Sequence, residues 1–152
     1  MKHATLLATA CILAGLGSAG TFAADNSELQ ALKDGSKSCR WCDLSEAKLS
    51  KAKLYGVDLK GADLTHADLR GADLRNADFS GADLTAANVS EADLSGATFA
   101  GAEINLVDFS KAFAKNTNLE TATCDWTTTL PKGSGLECVG VTVERTRLFL
   151  SN

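Results

Sequence analysis

Apolar residues recur at every fifth position through the middle of the chain. The series continues without an insertion through 17 successive units. Its members are Leu44, Leu49, Leu54, Leu59, Leu64, Leu69, Leu74, Phe79, Leu84, Val89, Leu94, Phe99, Ile104, Phe109, Ala114, Leu119 and Cys124. Two residues before most of these positions stands a small residue, usually alanine, as at Ala62 and Ala72. The inward positions therefore alternate in spacings of two and three residues.

This spacing does not fit an α-helix or a single long strand. A step of five residues turns a side chain by about 140° around a helix axis, so no apolar stripe forms. A spacing of two is the strand period, and a spacing of three adds one residue to it. Glycine or asparagine between the units, as at Gly61, Gly71 and Asn76, tolerates the backbone of a tight turn. The pattern therefore predicts short extended pieces joined by turns, each unit burying two side chains.

The units GADLT at residues 61–65 and GADLR at residues 71–75 resemble those of the pentapeptide-repeat family. The resemblance extends from Cys42 to Trp126, which is 85 residues. It implies an all-β solenoid, a right-handed quadrilateral β-helix with four repeats per coil and about four coils in this chain. Phe113 falls at an outward position of this pattern, so that it marks either a local departure from register or an exposed aromatic side chain.

The sequences on both sides of the repeats predict caps for the solenoid. Ser27 followed by Gln30 is a capping-box pattern, and Gly35 ends the short helix that it predicts. Near the C-terminus, apolar residues alternate and predict one or two short strands. These residues are Val139, Val141, Val143, Leu148 and Leu150. Because an open coil exposes backbone and apolar side chains, we expect residues 24–41 and the β or irregular residues 127–152 to cover the two ends.

Residues 1–23 have the features of a secretory signal peptide. A short basic start precedes an apolar run over residues 4–15, and small residues lead to an expected cleavage site between Ala23 and Ala24. The run is too short to span a bilayer comfortably. We therefore expect export to the periplasm or the extracellular space, with no stable membrane insertion after cleavage. A retained anchor helix and lipid attachment at Cys11 are the alternatives.

Four cysteines remain after removal of residues 1–23, an even number that is typical of disulfides in an exported chain. Stacked coils would separate Cys42 from Cys124 by roughly 19 Å at the spacing of a β-ladder. The Cα atoms of a disulfide lie within about 7 Å of each other. We therefore predict the pairs Cys39–Cys42 and Cys124–Cys138. Cys39 and Cys42 also form a Cys-x-x-Cys motif, for which a redox role and a metal site are the alternatives.

A carboxylate stands directly before the apolar position in many units. These residues are Asp43, Asp58, Asp63, Asp68, Asp73, Asp78, Asp83, Asp93, Glu103 and Asp108. In the family that the chain resembles, this position commonly steadies the turn through side-chain hydrogen bonds. A cation-binding surface of an envelope protein is the alternative, although the glycine-aspartate nonapeptide of calcium-binding β-rolls is absent.

Composition and motifs argue against two further functions. A net charge of −4 and a pI near 5.1 disfavour nucleic-acid binding through phosphate neutralisation. After removal of residues 1–23, His66 is the one histidine, and no Gly-x-Ser-x-Gly, His-Glu-x-x-His or phosphate-binding glycine loop occurs. We expect no catalysis, cofactor or metal. Some family members are acidic mimics of DNA that bind type II topoisomerases, and that alternative requires a cytosolic protein that retains residues 1–23.

The sequence thus predicts an exported, non-catalytic solenoid that serves as a rigid protein-binding or structural module with an unknown partner. Outward apolar residues mark contact patches on such scaffolds. The candidates for an interaction surface are Tyr55, Leu106, Phe113 and Trp126. The alternative for each is packing against a cap or the tail, and the fold alone does not choose between them.

Overall fold

The computed structural model of the protein describes residues 26–132, 136–139 and 142–145. Its regular elements, in chain order, are helix α1 (Asn26–Lys33) and strands β1 (Leu136–Val139) and β2 (Thr142–Arg145). The predicted signal peptide, residues 1–23, lies outside the described residues, as do Val141, Leu148 and Leu150.

Between α1 and β1 the chain pairs with itself at an interval of 20 residues. Parallel bridges join Asp43 to Asp63 and Asp63 to Asp83, and similar bridges recur on each face of residues 38–129. The N–H of Leu44 donates to the carbonyl of Asp63 at 2.7 Å. Each extended piece is only a few residues long before the next turn begins. The chain is therefore a solenoid of stacked coils whose faces are short parallel ladders.

A tight turn separates each face from the next. At one of them the N–H of Ala47 donates to the carbonyl of Leu44 at 3.0 Å, and Glu46 between them has a φ of 56°. A positive φ at the third residue is what a type II turn requires. It recurs at every fifth residue from Trp41 to Thr121 except Lys111, and 10 of these positions carry a side chain rather than glycine. The corners of the solenoid therefore contain backbone strain.

The interior of the solenoid is apolar and layered. The rings of Phe79 and Phe99 stack with centroids 4.8 Å apart, and Phe109 meets Phe99 edge-on at 5.9 Å. No polar or charged residue is buried wherever the structure gives burial. Each buried leucine or phenylalanine stabilises the fold by roughly 1.5–3 kcal/mol relative to an exposed one.

Helix α1 joins this core through Leu32, which is almost completely buried. The helix ends in a Schellman motif, in which Ser36 N–H donates to Ala31 and Gly35 N–H donates to Leu32. Gly35 has a φ of 99°, a conformation that glycine adopts without a steric penalty. The helix predicted between Ser27 and Gly35 is confirmed, and its role as a cap stays a prediction.

The last coil differs from the others by one residue. The bridge from Asp108 reaches Thr129, 21 positions later, so that the turn at Asp125–Thr128 holds one residue more than its predecessors. Beyond it, β1 and β2 form an antiparallel hairpin with Cys138 opposite Val143. One or two short strands were predicted here and a strand pair is present, but its bounds differ from the predicted pattern: Val139 ends β1 and Val143 belongs to β2, so that the alternating run that begins at Val139 is divided between two strands.

Phe113 keeps the register of the repeats. It forms a parallel bridge with Asp93, and its N–H donates to the carbonyl of Ala92 at 2.9 Å. Its side chain is 66% exposed. Of the two interpretations of Phe113, the exposed aromatic side chain is confirmed and the departure from register is wrong. The irregular corner lies two residues earlier, at Lys111, which lacks the positive φ.

Candidate interaction surface

The carboxylates before the apolar positions are largely occupied in holding the turns. Asp63 accepts a hydrogen bond from the N–H of Thr65 at 2.9 Å, and Asp83 accepts one from Thr85 at 2.8 Å. The same contact is made by Asp43, Asp58, Asp68, Asp73, Asp78, Asn88, Asp93, Asp108 and Asn118. A short polar side chain that bonds its own backbone two residues on is a common way to fix a turn. The turn-steadying role is confirmed for every aspartate of the predicted set, whereas Glu103 makes no such contact among the described hydrogen bonds.

Arginine and lysine side chains interrupt the acidic columns. Arg70 forms two hydrogen bonds with Asp68, at 2.8 and 2.7 Å, and Arg75 does the same with Asp73. These guanidinium groups lower the pKa of both carboxyls. Lys60 pairs similarly with Asp78 at 2.9 Å. Because such pairs are largely exposed to solvent, they contribute little to stability, but they break up the continuous acidic strip that a DNA mimic would present.

The four cysteines lie in two pairs at disulfide distance. The Cα atoms of Cys39 and Cys42 are 5.4 Å apart, and those of Cys124 and Cys138 are 6.1 Å apart. The first pair lies at the start of the first coil, and the second ties β1 to the last coil. Glu28 is the third side chain near Cys39 and Cys42, and these three form the one cluster of possible metal ligands within the described part of the chain.

The four candidate contact residues do not form one surface. Leu106 and Trp126 are 54% and 92% exposed. They lie in the turns that follow Glu103 and Thr123, which pair between successive coils, and so they share one corner of the solenoid. Phe113 lies on another face of the Leu106 coil. Tyr55 belongs to the first coil and is already engaged. Its hydroxyl accepts from the amide nitrogen of Asn76 at 3.1 Å, and the Arg75 guanidinium carbon lies 5.4 Å from its ring centroid.

Asp125 stabilises the turn that carries Trp126 and also contacts the backbone of Leu106 in the preceding coil. Its carboxylate accepts hydrogen bonds from the hydroxyl of Thr127 at 2.6 Å, from the N–H groups of Thr127 and Thr128 at 3.0 Å each, and from the N–H of Leu106 at 3.4 Å. The Thr127 hydroxyl contributes most to lowering the pKa of Asp125, to about 2. Asp125 was not among the predicted site residues, although the sequence Asp-Trp-Thr-Thr-Thr at residues 125–129 is a recognisable turn signal.

Comparisons with known proteins place the chain in a family. The family model for pentapeptide repeats matches residues 42–81 and 77–113. The solved structure of alr5209, a pentapeptide repeat protein from Nostoc Pcc 7120, is 33% identical to this chain, with a TM-score of 0.53. The match covers 72% of this chain and 87% of that one. The chain belongs to the pentapeptide-repeat family. Its fold is therefore the right-handed quadrilateral β-helix of that family, and pentapeptide-repeat proteins are generally non-catalytic structural or binding modules.

Two further solved pentapeptide-repeat proteins are similar to parts of the chain. HetL from Nostoc sp. strain PCC 7120, which is involved in heterocyst differentiation regulation, is 28% identical over 61% of this chain and 49% of its own, with a TM-score of 0.43. A protein of the Arabidopsis thaliana thylakoid lumen is 25% identical over 53% of this chain and 60% of its own, with a TM-score of 0.29. No curated protein matches the chain. The described part of this pentapeptide-repeat protein offers no helix that could serve as a membrane span.

Proposed function

We propose that this pentapeptide-repeat protein is an exported, non-catalytic scaffold that binds a protein partner through Leu106 and Trp126. One observation carries the proposal: these two large apolar side chains stay 54% and 92% exposed at one corner of successive coils. Exposed apolar groups that cluster, rather than scatter singly, mark contact surfaces.

Several hydrogen bonds order the turn that carries Trp126. Asp125 joins it to the backbone of Leu106 and to both of the following threonines. A side chain presented on an ordered turn loses less conformational freedom on binding, and aromatic anchors contribute much of the affinity of protein interfaces. Tyr55 does not share this role, because Arg75 and Asn76 already contact it. Phe113 is a separate exposed side chain on another face.

Export is supported by the signal-like residues 1–23 and by the two cysteine pairs at disulfide distance. Disulfides persist in oxidising compartments such as the periplasm and the extracellular space. In this proposal residues 24–41 and 127–152 cap the repeat region, residues 42–126, and the pair Cys124–Cys138 fastens the C-terminal cap. The protein requires no cofactor or metal for this role.

The proposal can be tested by cross-linking and affinity capture from the exported fraction of the host. Leu106→Ser/Trp126→Ser is compared with Tyr55→Ser/Phe113→Ser, which removes the same number of exposed apolar groups elsewhere. We expect one reproducible partner to be captured by the wild type and by the second variant, and to be lost from the first. Loss from the second variant alone would place the surface elsewhere. Capture of nothing by all three forms would favour a structural role.

A second measurement separates export from binding. The N-terminal residue of the protein recovered from the exported fraction is determined by mass spectrometry. A chain that begins at Ala24 supports the signal peptide, whereas a protein found only in the cytosol with residues 1–23 intact contradicts export without deciding the role of Leu106 and Trp126.

A further inference from the structure

Two lysines of the first coil occupy positions that aspartate fills in most other units. Lys48 and Lys53 form parallel bridges with Asp68 and Asp73 of the next coil, so that they stand directly beside aspartates in the same columns. A lysine cannot accept the hydrogen bond from the N–H two residues later that Asp68 and Asp73 accept. The turns after Lys48 and Lys53 therefore lack this stabilising contact, and the charge at both positions is reversed.

Together with Lys51, these residues form an exposed cationic edge, which we call the lysine edge. Lys51 lies at the corner between the two faces that carry Lys48 and Lys53, and all three are exposed. None of the three side chains makes a hydrogen bond or ion pair with any residue that the structure describes. Asp68 and Asp73, which stand beside Lys48 and Lys53, are each bound by an arginine of their own. Glu91 lines the same surface depression as Lys51 but makes no ion pair with it.

Charge is also divided along the solenoid. Residues 33–75 contain nine lysines and arginines against seven carboxylates, a net charge of +2, whereas residues 76–110 contain six carboxylates and no basic residue, a net charge of −6. An anionic surface would therefore attract the first coils and repel the middle ones. The division favours one orientation, in which the lysine edge contacts the surface and the acidic coils project away from it.

The composition of the lysine edge fits a fluid anionic surface better than a protein interface. Protein interfaces favour arginine and buried aromatic anchors, but Arg70 and Arg75 are committed to Asp68 and Asp73 in this structure. The unpaired cations of the edge are lysines, whose flexible stems and compact charges suit many phosphate positions.

We propose that the lysine edge docks the protein peripherally on an anionic phospholipid bilayer. The contact is electrostatic and needs no insertion of the chain. It would hold the first coil at the lipid headgroups and leave the corner of Leu106 and Trp126, near the opposite end, open to a partner. Docking does not depend on the proposed partner-binding role, because it involves other residues and another kind of surface.

The test is co-sedimentation of the full chain with vesicles of phosphatidylcholine alone and with 30% phosphatidylglycerol added. The deciding variant is Lys48→Asp/Lys53→Asp, which restores the usual residue of the repeat and should therefore fold at least as stably. Its control is Lys111→Asp/Lys115→Asp, which changes the net charge by the same amount in a later coil. Residues 1–23 are common to all forms, so that any apolar contribution from them is the same in each comparison.

We expect the wild type to bind the anionic vesicles, to be released by 0.5 M salt, and to bind neutral vesicles much more weakly. One lysine near an anionic bilayer increases binding by about fivefold. Lys48→Asp/Lys53→Asp should therefore reduce anionic-vesicle binding more than tenfold, and the control should change it less than threefold. Equal losses in both variants would mean that only net charge matters. That result, or binding to soluble polyglutamate but not to anionic vesicles, would overturn the proposal.

Discussion

The indole ring of Trp41 occupies the space that a Cβ atom of Gly61 would fill in the next coil. Trp41 is 79% exposed and is nevertheless in contact with backbone. Gly61 also has a φ of 64°, so that both the turn and the tryptophan require glycine at this corner. The contact joins the first coil to the second beside the pair Cys39–Cys42.

Replacing Gly61 by alanine should therefore destabilise the fold in two ways. The left-handed conformation costs an alanine about 1 kcal/mol, and displacement of Trp41 adds to this cost. Gly81→Ala is the matched control, because Gly81 is at the same corner with a φ of 66° and has no atom near its Cβ position. We expect losses of about 2–3 kcal/mol for Gly61→Ala and about 1 kcal/mol for Gly81→Ala in urea unfolding. Equal losses would show that Trp41 does not rest on Gly61 in solution.

Ala86 is a corner residue at which glycine should be an improvement. Its φ is 59°, so that Ala86→Gly removes backbone strain but makes the unfolded chain more flexible. The net effect should be a gain of up to about 1 kcal/mol in the free energy of unfolding. Ala100→Gly, at an ordinary turn residue of similar exposure, should instead lose about 0.5–1 kcal/mol. Thermal unfolding of both variants decides the matter, and a loss for Ala86→Gly would contradict the strain argument.

Most of the fold could be predicted from the sequence because one pattern of five residues is repeated. Leu64 stacks between one residue of the preceding coil and one residue of the next coil. Every other member of its column has equivalent neighbours. A period of five therefore determines the interior, the turns and the register together. Features that occur once were not predictable from a period. The extra residue near Asp125 and the irregular corner at Lys111 depend on local packing, which leaves no signal at a distance of five residues.

The candidate surface was predicted less completely than the fold. Outward apolar residues could be identified from the sequence, but their environment could not. Tyr55 differs from Trp126 because Arg75 and Asn76 lie one coil later and contact it. That contact spans about 20 positions, and a period of five residues does not specify which outward side chains touch across successive coils. The role of Asp125 was missed because its partner Leu106 belongs to the preceding coil.

The decrease in the free energy of unfolding at acidic pH should depend on Asp125. Its pKa in the folded protein is about 2, below the value of 3.8 for an unperturbed aspartate. A carboxyl with a depressed folded pKa stabilises the protein above the unfolded value, and this contribution is lost as pH falls from about 4 to about 2. Thr127→Val removes the hydroxyl donor and should raise the pKa of Asp125 towards 3.8. NMR titration of the carboxyl group measures this change in pKa. The control is Thr65→Val, in a distant turn, which should leave the pKa of Asp125 unchanged.

The two cysteine pairs should differ in how much they stabilise the protein. A disulfide reduces the entropy of the unfolded chain more when it closes a longer loop. The separation is 14 residues for Cys124–Cys138 and 3 for Cys39–Cys42. We expect Cys124→Ala/Cys138→Ala to cost about 3 kcal/mol and Cys39→Ala/Cys42→Ala about 1.5 kcal/mol. Because Cys124–Cys138 also fastens β1 to the last coil, loss of this pair should increase amide exchange in the hairpin while the middle coils stay protected. If a reducing agent changes neither the unfolding midpoint of the wild type nor its exchange pattern, the pairs are not bonded and the argument for an oxidising compartment fails.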